Sequence, residues 1–214
     1  MRIAVCDTGL GNLRSVERAL LAAAEERGGG AIVEITRDVD RIARADKIVV
    51  PGQGGFGDCA RALEGGLGDS IRGKIAAGAP YLGICLGLQV LFQGSDEAPG
   101  CAGLGVLAGE VVRLRGGADA VGGGALKIPH TGWNVASAIP EANARGLLPD
   151  EPTYFYFVHS YAVVPKDSRI IAATTEHGER FVSAIAKDNV LACQFHPEKS
   201  QRAGLALLTR FLAM

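Results

Sequence analysis

The stretch that decides the fold is Tyr81-Leu82-Gly83-Ile84-Cys85-Leu86-Gly87-Leu88-Gln89, an apolar run built around Gly-x-Cys-x-Gly. It predicts a strand that turns abruptly into a helix at Cys85. In so tight a turn, the residues two before and two after the centre approach each other's backbone, and glycine at 83 and 87 avoids the collision. The segment therefore predicts a nucleophile elbow, with the Cys85 side chain projecting from the carboxyl edge of a sheet.

The position of Cys85 suits nucleophilic chemistry. The helix that starts directly behind it presents free N–H groups and the positive end of its dipole to the sulfur, which favours the thiolate. A buried structural cysteine is the alternative, and the two flanking glycines argue against it. We interpret Cys85 as a catalytic nucleophile.

The residues before the elbow alternate between strand-like and helix-like patterns. The predicted strands are Ile3–Asp7, Ala31–Thr36 and Lys47–Val50, with an amphipathic helix after the first and a helical stretch from Gly57 to Ala77 after the third. This alternation predicts an α/β fold with a doubly wound, mostly parallel central sheet.

Beyond Gly105 the sequence changes to short β-rich runs, which predict an additional antiparallel portion in the C-terminal half. These runs are Val106–Leu114, Leu126–Pro129, Tyr154–Val158, Ile170–Thr175, Phe181–Lys187 and Val190–Phe195, before a closing helix from about Gln201 to Leu212. The glycine-rich stretch 116–124 interrupts them, as a mobile surface loop or an active-site flap. At 214 residues, the whole chain 1–214 is expected to form one domain.

Composition excludes several classes of function. The net charge of −1 and the lack of a Lys/Arg cluster argue against nucleic-acid or anionic-membrane partners. No apolar run approaches the ~20 residues that span a bilayer, and Met1 leads almost directly into a predicted strand, so we expect neither anchor nor secretory signal. Five cysteines without a CxxC pair fit a reducing cytoplasm. The histidine and cysteine spacing predicts no metal site, and no cofactor is expected.

A cysteine nucleophile needs a base, and His196-Pro197-Glu198 supplies one after an apolar strand. Pro197 favours extended geometry at His196, so Glu198 can approach the imidazole, fix its tautomer and leave the other ring nitrogen for the Cys85 proton. His130 and His177 are more readily explained as structural residues of a loop and a turn. His159 stays open as an alternative base.

Acyl transfer also needs donors for the oxyanion. One candidate is the Leu86 N–H at the start of the helix. The other is the glycine-rich turn Pro51–Phe56, where the N–H groups of Gln53 and Gly54 can face a ligand without obstruction by Cβ atoms. A phosphate-binding loop is the alternative, but no Gly-Lys-Ser/Thr follows it.

Several further motifs carry a family resemblance. They are Asp7–Val16, containing Gly-Leu-Gly-Asn, and the segments Pro129–Asn134, Phe157–Tyr161 and Gln194–Gln201. With the elbow, they resemble the class I (triad) glutamine amidotransferases over nearly the whole chain, and more narrowly the glutaminase subunits of imidazole glycerol phosphate synthase, in histidine biosynthesis. Two positions depart from the family pattern: Thr8 stands where the family usually has Tyr, and Gln53 where it usually has a small aliphatic residue.

The resemblance implies a function and assigns residues to it. Cys85, His196 and Glu198 would form the triad that hydrolyses glutamine to glutamate and ammonia through a thioester. The residues around the glutamine would be Gly54, Gln89, Ser160 and Tyr161. Ammonia would pass to a (β/α)₈ cyclase subunit in a heterodimer.

We expect Asn12, Trp133 and Lys199 to form the surface that docks this cyclase. Trp133 is the only tryptophan and follows a Pro-His pair that predicts a turn. A core position is the alternative, but aromatic anchors are common in the centres of interfaces.

Two other functions stay open. The first is a glutaminase that serves vitamin B6, anthranilate or purine synthesis, or a free-standing peptidase, which the segment His130–Asn134 argues against. The second is a non-catalytic binding protein of the same fold whose thiol senses redox state.

Overall fold

Five parallel strands form the half of the sheet that carries the elbow. A computed structural model of the chain describes residues 1–117, 126–142, 146 and 148–214; residues 118–124 of the glycine-rich stretch lie outside the described residues. The elements are β1 (Arg2–Cys6), α1 (Leu13–Glu26), β2 (Ile32–Thr36), α2 (Val39–Arg44), β3 (Lys47–Gly52), α3 (Phe56–Ala62), α4 (Gly66–Ala76), β4 (Tyr81–Cys85) and α5 (Leu86–Gln89). The predicted strands of this half are confirmed.

The second half is β-rich and mostly antiparallel, as expected. Its elements are β5 (Gly109–Arg113), β6 (His130–Ala138), β7 (Thr153–His159), β8 (Tyr161–Pro165), β9 (Ile171–Glu176), β10 (Arg180–Lys187), β11 (Val190–Cys193) and α6 (Gln201–Ala213), with short 3₁₀ turns at Ser168–Ile170 and Pro197–Lys199. The described strands join in one sheet of order β2-β1-β3-β4-β11-β10-β9-β6-β7, and β8 pairs with β10 and β5 beside it.

Strand β11 joins the two halves. It runs parallel to β4 and antiparallel to β10, with Cys193 opposite Ile84. The residues that follow β11 therefore leave the sheet beside the elbow, at the carboxyl edge where ligands bind in open α/β sheets.

Both faces of the parallel half are buried. Ile3 and Val5 of β1 belong to one core cluster, and Ala4 and Cys6 belong to the other. Side chains alternate between the two faces of a strand, so a strand buried on both faces presents apolar residues to two layers. Helices α1 and α6 pack together over the first of these faces. No helix in the described ranges is long and apolar enough to cross a membrane.

The structure corrects three expectations. The helical stretch Gly57–Ala77 is two helices, because Gly65 adopts φ 74° between them. The run Leu126–Pro129 is not a strand. The loop expected at His130 was also wrong, because strand β6 begins at this residue and pairs with β7. Strand β8 was missed.

Candidate active site

The elbow places Cys85 as its sequence predicts. Cys85 has φ 55°, an uncommon conformation for a non-glycine residue that points the side chain away from both neighbouring elements. A Cβ on Gly83 would overlap the carbonyl oxygen of Gly87, and one on Gly87 would overlap that of Val50. Glycine is therefore required at both positions by close backbone approach, and only a short helix, α5, continues behind Cys85.

His196 and Glu198 meet beside this sulfur. His196 Nδ1 lies 2.8 Å from Glu198 Oε1, and both side chains are 4% exposed. The carboxylate accepts the Nδ1–H, which leaves Nε2 as the acceptor of the neutral ring. Nε2 is buried and makes no conventional hydrogen bond within the described chain. It is free to take a proton.

The pKa of His196 reflects these neighbours. Burial lowers it, but interaction with the Cys85 side chain, and next with Glu198, raises the pKa from 6.5 to about 9. The Cys85 contact falls outside ordinary hydrogen-bond geometry yet is close enough to act electrostatically, as is common before a substrate binds. The site therefore stabilises an imidazolium facing the sulfur.

His159, the open alternative for the base, has both ring nitrogens occupied. Nδ1 lies 2.8 Å from the Tyr161 carbonyl oxygen, and Nε2 lies 3.0 Å from Nδ1 of His130. Burial lowers the pKa of His159 to about 4. A ring held at both ends cannot take a proton from Cys85, so the geometry favours His196.

A pocket of about 200 Å³ opens at Cys85. The four residues expected around glutamine, Gly54, Gln89, Ser160 and Tyr161, all line this pocket. Its other lining residues are Gln53, Cys85, Leu86, Glu97, Pro129, Val158 and His159. Gly54 adopts φ 137° in the exposed turn after β3, and Gly52 lies opposite Cys85 in the sheet. The Gln53–Gly54 turn thus lies beside the sulfur.

Sequence reasoning missed Glu97 and Gln194. Glu97 Oε2 accepts the Phe56 N–H at 2.7 Å, which fixes the carboxylate in the pocket wall, but no periodic pattern marks its segment. Gln194 is fully buried and its Nε2 lies 3.5 Å from Cys85 Sγ. The position of Gln194, directly after β11 and two residues before His196, could have identified it as a neighbour of the site.

The three residues expected to dock a partner lie at the surface to different degrees. Asn12 is exposed and caps α1 by accepting the Ser15 N–H, and Trp133 is 46% exposed on β6. Lys199 is half-buried with Nζ 5.7 Å from the centre of the Tyr156 ring, which also contacts Trp133 edge-on. Trp133 and Lys199 therefore flank one aromatic side chain.

In the described part of the chain, no group of three or more His, Cys, Asp or Glu side chains is arranged to hold a metal ion. The site's chemistry consists of a thiol, an imidazole–carboxylate pair and a turn that exposes backbone N–H groups. That combination suits acyl transfer through a covalent thioester.

Comparison with known proteins gives relatives over the full length. The family model for glutamine amidotransferase class-I matches residues 9–214. The chain is 47% identical over 213 residues to imidazole glycerol phosphate synthase subunit HisH of Aquifex aeolicus (99% of this chain, 96% of the relative). It is 46% identical to the same subunit of Nitrosomonas europaea (98% and 97%). Among solved structures, the Trypanosoma brucei CTPS glutaminase domain with bound acivicin has a similar fold, with TM-score 0.71, 16% identity, and coverage of 100% and 92%.

Proposed function

The chain belongs to the class-I glutamine amidotransferases and, within them, to the HisH subunits of imidazole glycerol phosphate synthase, and from this premise we propose that it hydrolyses glutamine at Cys85 and delivers the ammonia to a cyclase subunit. The observation that carries the proposal is the His196–Glu198 pair packed beside the sulfur of Cys85, which itself lines the pocket. The acidic partner and the base follow one strand, and the nucleophile ends its neighbour.

The reaction starts from a Cys85 thiolate and a His196 imidazolium, because the raised pKa of His196 places the proton on its Nε2. The sulfur attacks the γ-carboxamide carbon of glutamine, and His196 returns the proton to the departing nitrogen, which leaves as ammonia. Water, deprotonated by the same ring, then attacks the γ-glutamyl thioester; the C–S bond breaks, glutamate leaves, and the Cys85 thiolate and the His196 imidazolium are restored. Glu198 stabilises the imidazolium in each half of the cycle, and its burial strengthens that interaction.

The tetrahedral intermediates need N–H donors for the oxyanion. Leu86 offers one directly after the nucleophile, and Gln53 or Gly54 offers the other from the turn that lines the pocket. Gly54 at φ 137° is in a conformation that other residues rarely adopt, so glycine allows the peptide plane at this turn to reorient.

Charge and shape suit an amino acid in the pocket. The Glu97 carboxylate supplies an anionic wall for the α-ammonium group of glutamine. Gly54, Gln89, Ser160 and Tyr161 line the remaining wall and provide polar groups for the α-carboxylate and the carboxamide. We assign the glutamine site to these residues.

The cyclase is a (β/α)₈ partner that docks over Asn12, Trp133 and Lys199, forming a heterodimer. A 46%-exposed tryptophan beside a cation and a second aromatic ring is typical of the anchors that dominate interfaces.

The test is a reconstitution with a candidate cyclase. Cys85→Ala should abolish glutamine-dependent synthesis and leave ammonia-dependent synthesis intact, because a methyl group fits the elbow but forms no thioester. The matched control is Cys101→Ala, which removes a half-exposed thiol away from the pocket and should leave both activities unchanged. Equal loss of both activities in Cys85→Ala would mean that Cys85 is structural, and failure of every candidate cyclase to accept ammonia from the wild type would overturn the assignment of partner.

A further inference from the structure

A run of buried hydrogen bonds starts at the Cys85 sulfur. Gln194 Nε2 lies 3.5 Å from Cys85 Sγ, and Gln194 Oε1 lies 3.1 Å from Gln89 Nε2. The same Gln89 amide nitrogen lies 3.2 Å from the carbonyl oxygen of Tyr161. Gln194 is 0% exposed, so its amide has no water with which to exchange these partners.

The run continues to β6 through two histidines. The Tyr161 carbonyl also accepts the Nδ1–H of His159 at 2.8 Å. His159 Nε2 and His130 Nδ1 are 3.0 Å apart, and His130 Nε2 is 3.1 Å from Asn134 Nδ2, which also donates to the Glu176 carbonyl at 2.9 Å. The chain of bonds therefore spans from the nucleophile to the residue next to Trp133.

Backbone carbonyls fix the direction of the bonds near the sulfur. A carbonyl oxygen only accepts, so the Gln89 atom facing Tyr161 must be the nitrogen. That nitrogen donates to Gln194, so the Gln194 atom facing it must be the oxygen. The Gln194 nitrogen is consequently the atom that faces Cys85, and it can act only as a donor there.

The histidines have one consistent pair of tautomers. Burial lowers the pKa of His130 to about 3 and that of His159 to about 4, so both rings are neutral near pH 7. The Tyr161 carbonyl places the proton of His159 on Nδ1, so its Nε2 accepts from His130 Nδ1–H. His130 Nε2 then accepts from Asn134, whose amide is itself oriented by the Glu176 carbonyl.

We propose that Gln194 is a positioning residue of the active site: its amide N–H, held in one direction by the Gln89 amide and the Tyr161 carbonyl at the near end of the hydrogen-bonded run from Asn134, stabilises the Cys85 thiolate. The proposal rests on the proposed function, since it takes Cys85 as the nucleophile. A donor aimed at an anionic acceptor is stronger than one aimed at a neutral acceptor, so Gln194 favours the ionised sulfur over the thiol.

Other titratable groups around Cys85 must be separated from this effect. His196 faces the sulfur with Glu198 behind it, while Glu97, His159 and Tyr161 line the pocket. The neighbouring thiols are Cys59, whose pKa burial raises to about 12, and Cys193, whose pKa burial raises well above its ordinary value, so both stay neutral in the range of the test. All of these groups are common to the wild type and the variants below.

The test measures alkylation of Cys85 by iodoacetamide from pH 5 to 9, without glutamine, with the labelled peptide quantified by mass spectrometry. Gln194→Met keeps the volume and removes the donor; Gln194→Glu keeps the shape and replaces the donor by an acceptor. At pH values below the midpoint of the curve, we expect the alkylation of Cys85 to be about tenfold slower in Gln194→Met than in the wild type. This factor is the effect of losing one hydrogen bond to a charged group. Gln194→Glu should be slower still.

A matched control and the outcomes follow from the geometry. Thr175→Val removes a buried hydroxyl that has no hydrogen-bond partner among the described residues, and it should leave the curve unchanged. If Gln194→Met loses its thermal transition, the isosteric Gln194→Glu carries the comparison. Curves for both Gln194 variants that superimpose on the wild type would overturn the proposal even if glutamine hydrolysis were intact. A shifted curve in a chain that never hydrolyses glutamine would overturn the proposed function alone.

A double-mutant cycle tests the contribution of the hydrogen-bonded run to the reactivity of Cys85. His130→Phe removes both polar bonds of this ring within an aromatic cluster that already contains Phe157 and Phe181. Its alkylation curve should shift in the direction of Gln194→Met, by a smaller amount. In the Gln194→Met background, His130→Phe should have no additional effect, because its influence passes through the Gln194 amide. Additive shifts would show that His130 acts on Cys85 by another route.

Discussion

The pKa of His196 ties the stability of the fold to the active-site charge, and Glu198→Gln tests that link. In the native state Glu198 accepts the Nδ1–H at 2.8 Å where both side chains are 4% exposed. Together with the Cys85 side chain, it holds the pKa of His196 at about 9 against the effect of burial, compared with 6.5 for an unperturbed histidine. The substituted glutamine would keep the shape of the Glu198 side chain but not its charge, so the pKa of His196 should fall.

The sign and size of the effect follow from linkage. A histidine whose pKa is raised by folding contributes stability that is complete below pH 6.5 and is lost as the pH rises through about 9. One pKa unit corresponds to about 1.4 kcal/mol, so the contribution is at most about 3 kcal/mol. Between pH 6 and 9, the free energy of unfolding of the wild type should therefore decrease, and that of Glu198→Gln should decrease by roughly half as much.

Urea denaturation at intervals between pH 6 and 9 measures this difference. The buried thiols also destabilise the fold near pH 9, because folding raises their pKa, to about 12 for Cys6 and Cys59. They contribute equally to both proteins, so only the difference between the two curves reports on His196. Parallel curves across this range would refute the charge interaction and leave Glu198 with a steric role.

Four further predictions test other parts of the structure. Gly87→Ala should destabilise the fold by about 3 kcal/mol or more, since its Cβ would overlap the Val50 carbonyl. Gly73→Ala, in open space on α4, should stabilise the fold by about 0.5–1 kcal/mol. Urea denaturation measures both changes, and equal effects would contradict the close approach at Gly87. Stability should decline as the pH falls from 6.5 to 4, because His130 and His159 take up protons in the unfolded chain at a higher pH than in the folded one. His130→Phe should lessen this decline in acid titrations followed by circular dichroism. The fluorescence of Trp133 should shift on addition of the cyclase; binding shown independently without a spectral change would place the interface elsewhere. The free chain should hydrolyse glutamine slowly, and cyclase with its ligand should raise kcat by about 10² or more, the value of one oxyanion donor; an effect confined to KM would indicate altered glutamine binding instead.

The sequence predicts the parts of the site that depend on local geometry. The elbow follows from two glycines two residues either side of Cys85. The contact of Glu198 with His196 was also expected, but Glu198 reaches the ring from the 3₁₀ turn Pro197–Lys199, not from the extended chain that the sequence predicts. Each involves only a few consecutive residues, so the pattern contains the contact. Strands β3 and β4 were likewise evident, because burial on both faces requires continuous apolar runs.

The parts that the sequence does not predict depend on pairing between distant segments. Strand β6 contains Gly132 and follows a proline, both typical of a turn, yet its ladder with β7 runs from His130 to Ala136 and pairing with β9 continues it to Ala138. Glu97 reaches the pocket only because Phe56, 41 residues earlier in the chain, binds its carboxylate. The bond between Gln89 and Gln194 joins residues 105 apart, so no window of sequence contains it.

The end of strand β11 determines how the acid–base and positioning groups act together. Gln194 and His196 both lie beside Cys85, while Phe195 between them stacks on Phe155 with ring centres 4.0 Å apart. Phe195 is fully buried, so its packing limits the movement of the segment that carries both polar side chains. The His196 N–H also donates to the Tyr156 carbonyl, and the Tyr156 ring lies between Trp133 and Lys199. A partner bound at this aromatic group would therefore contact the side chain of the residue whose carbonyl anchors the backbone of the proposed base.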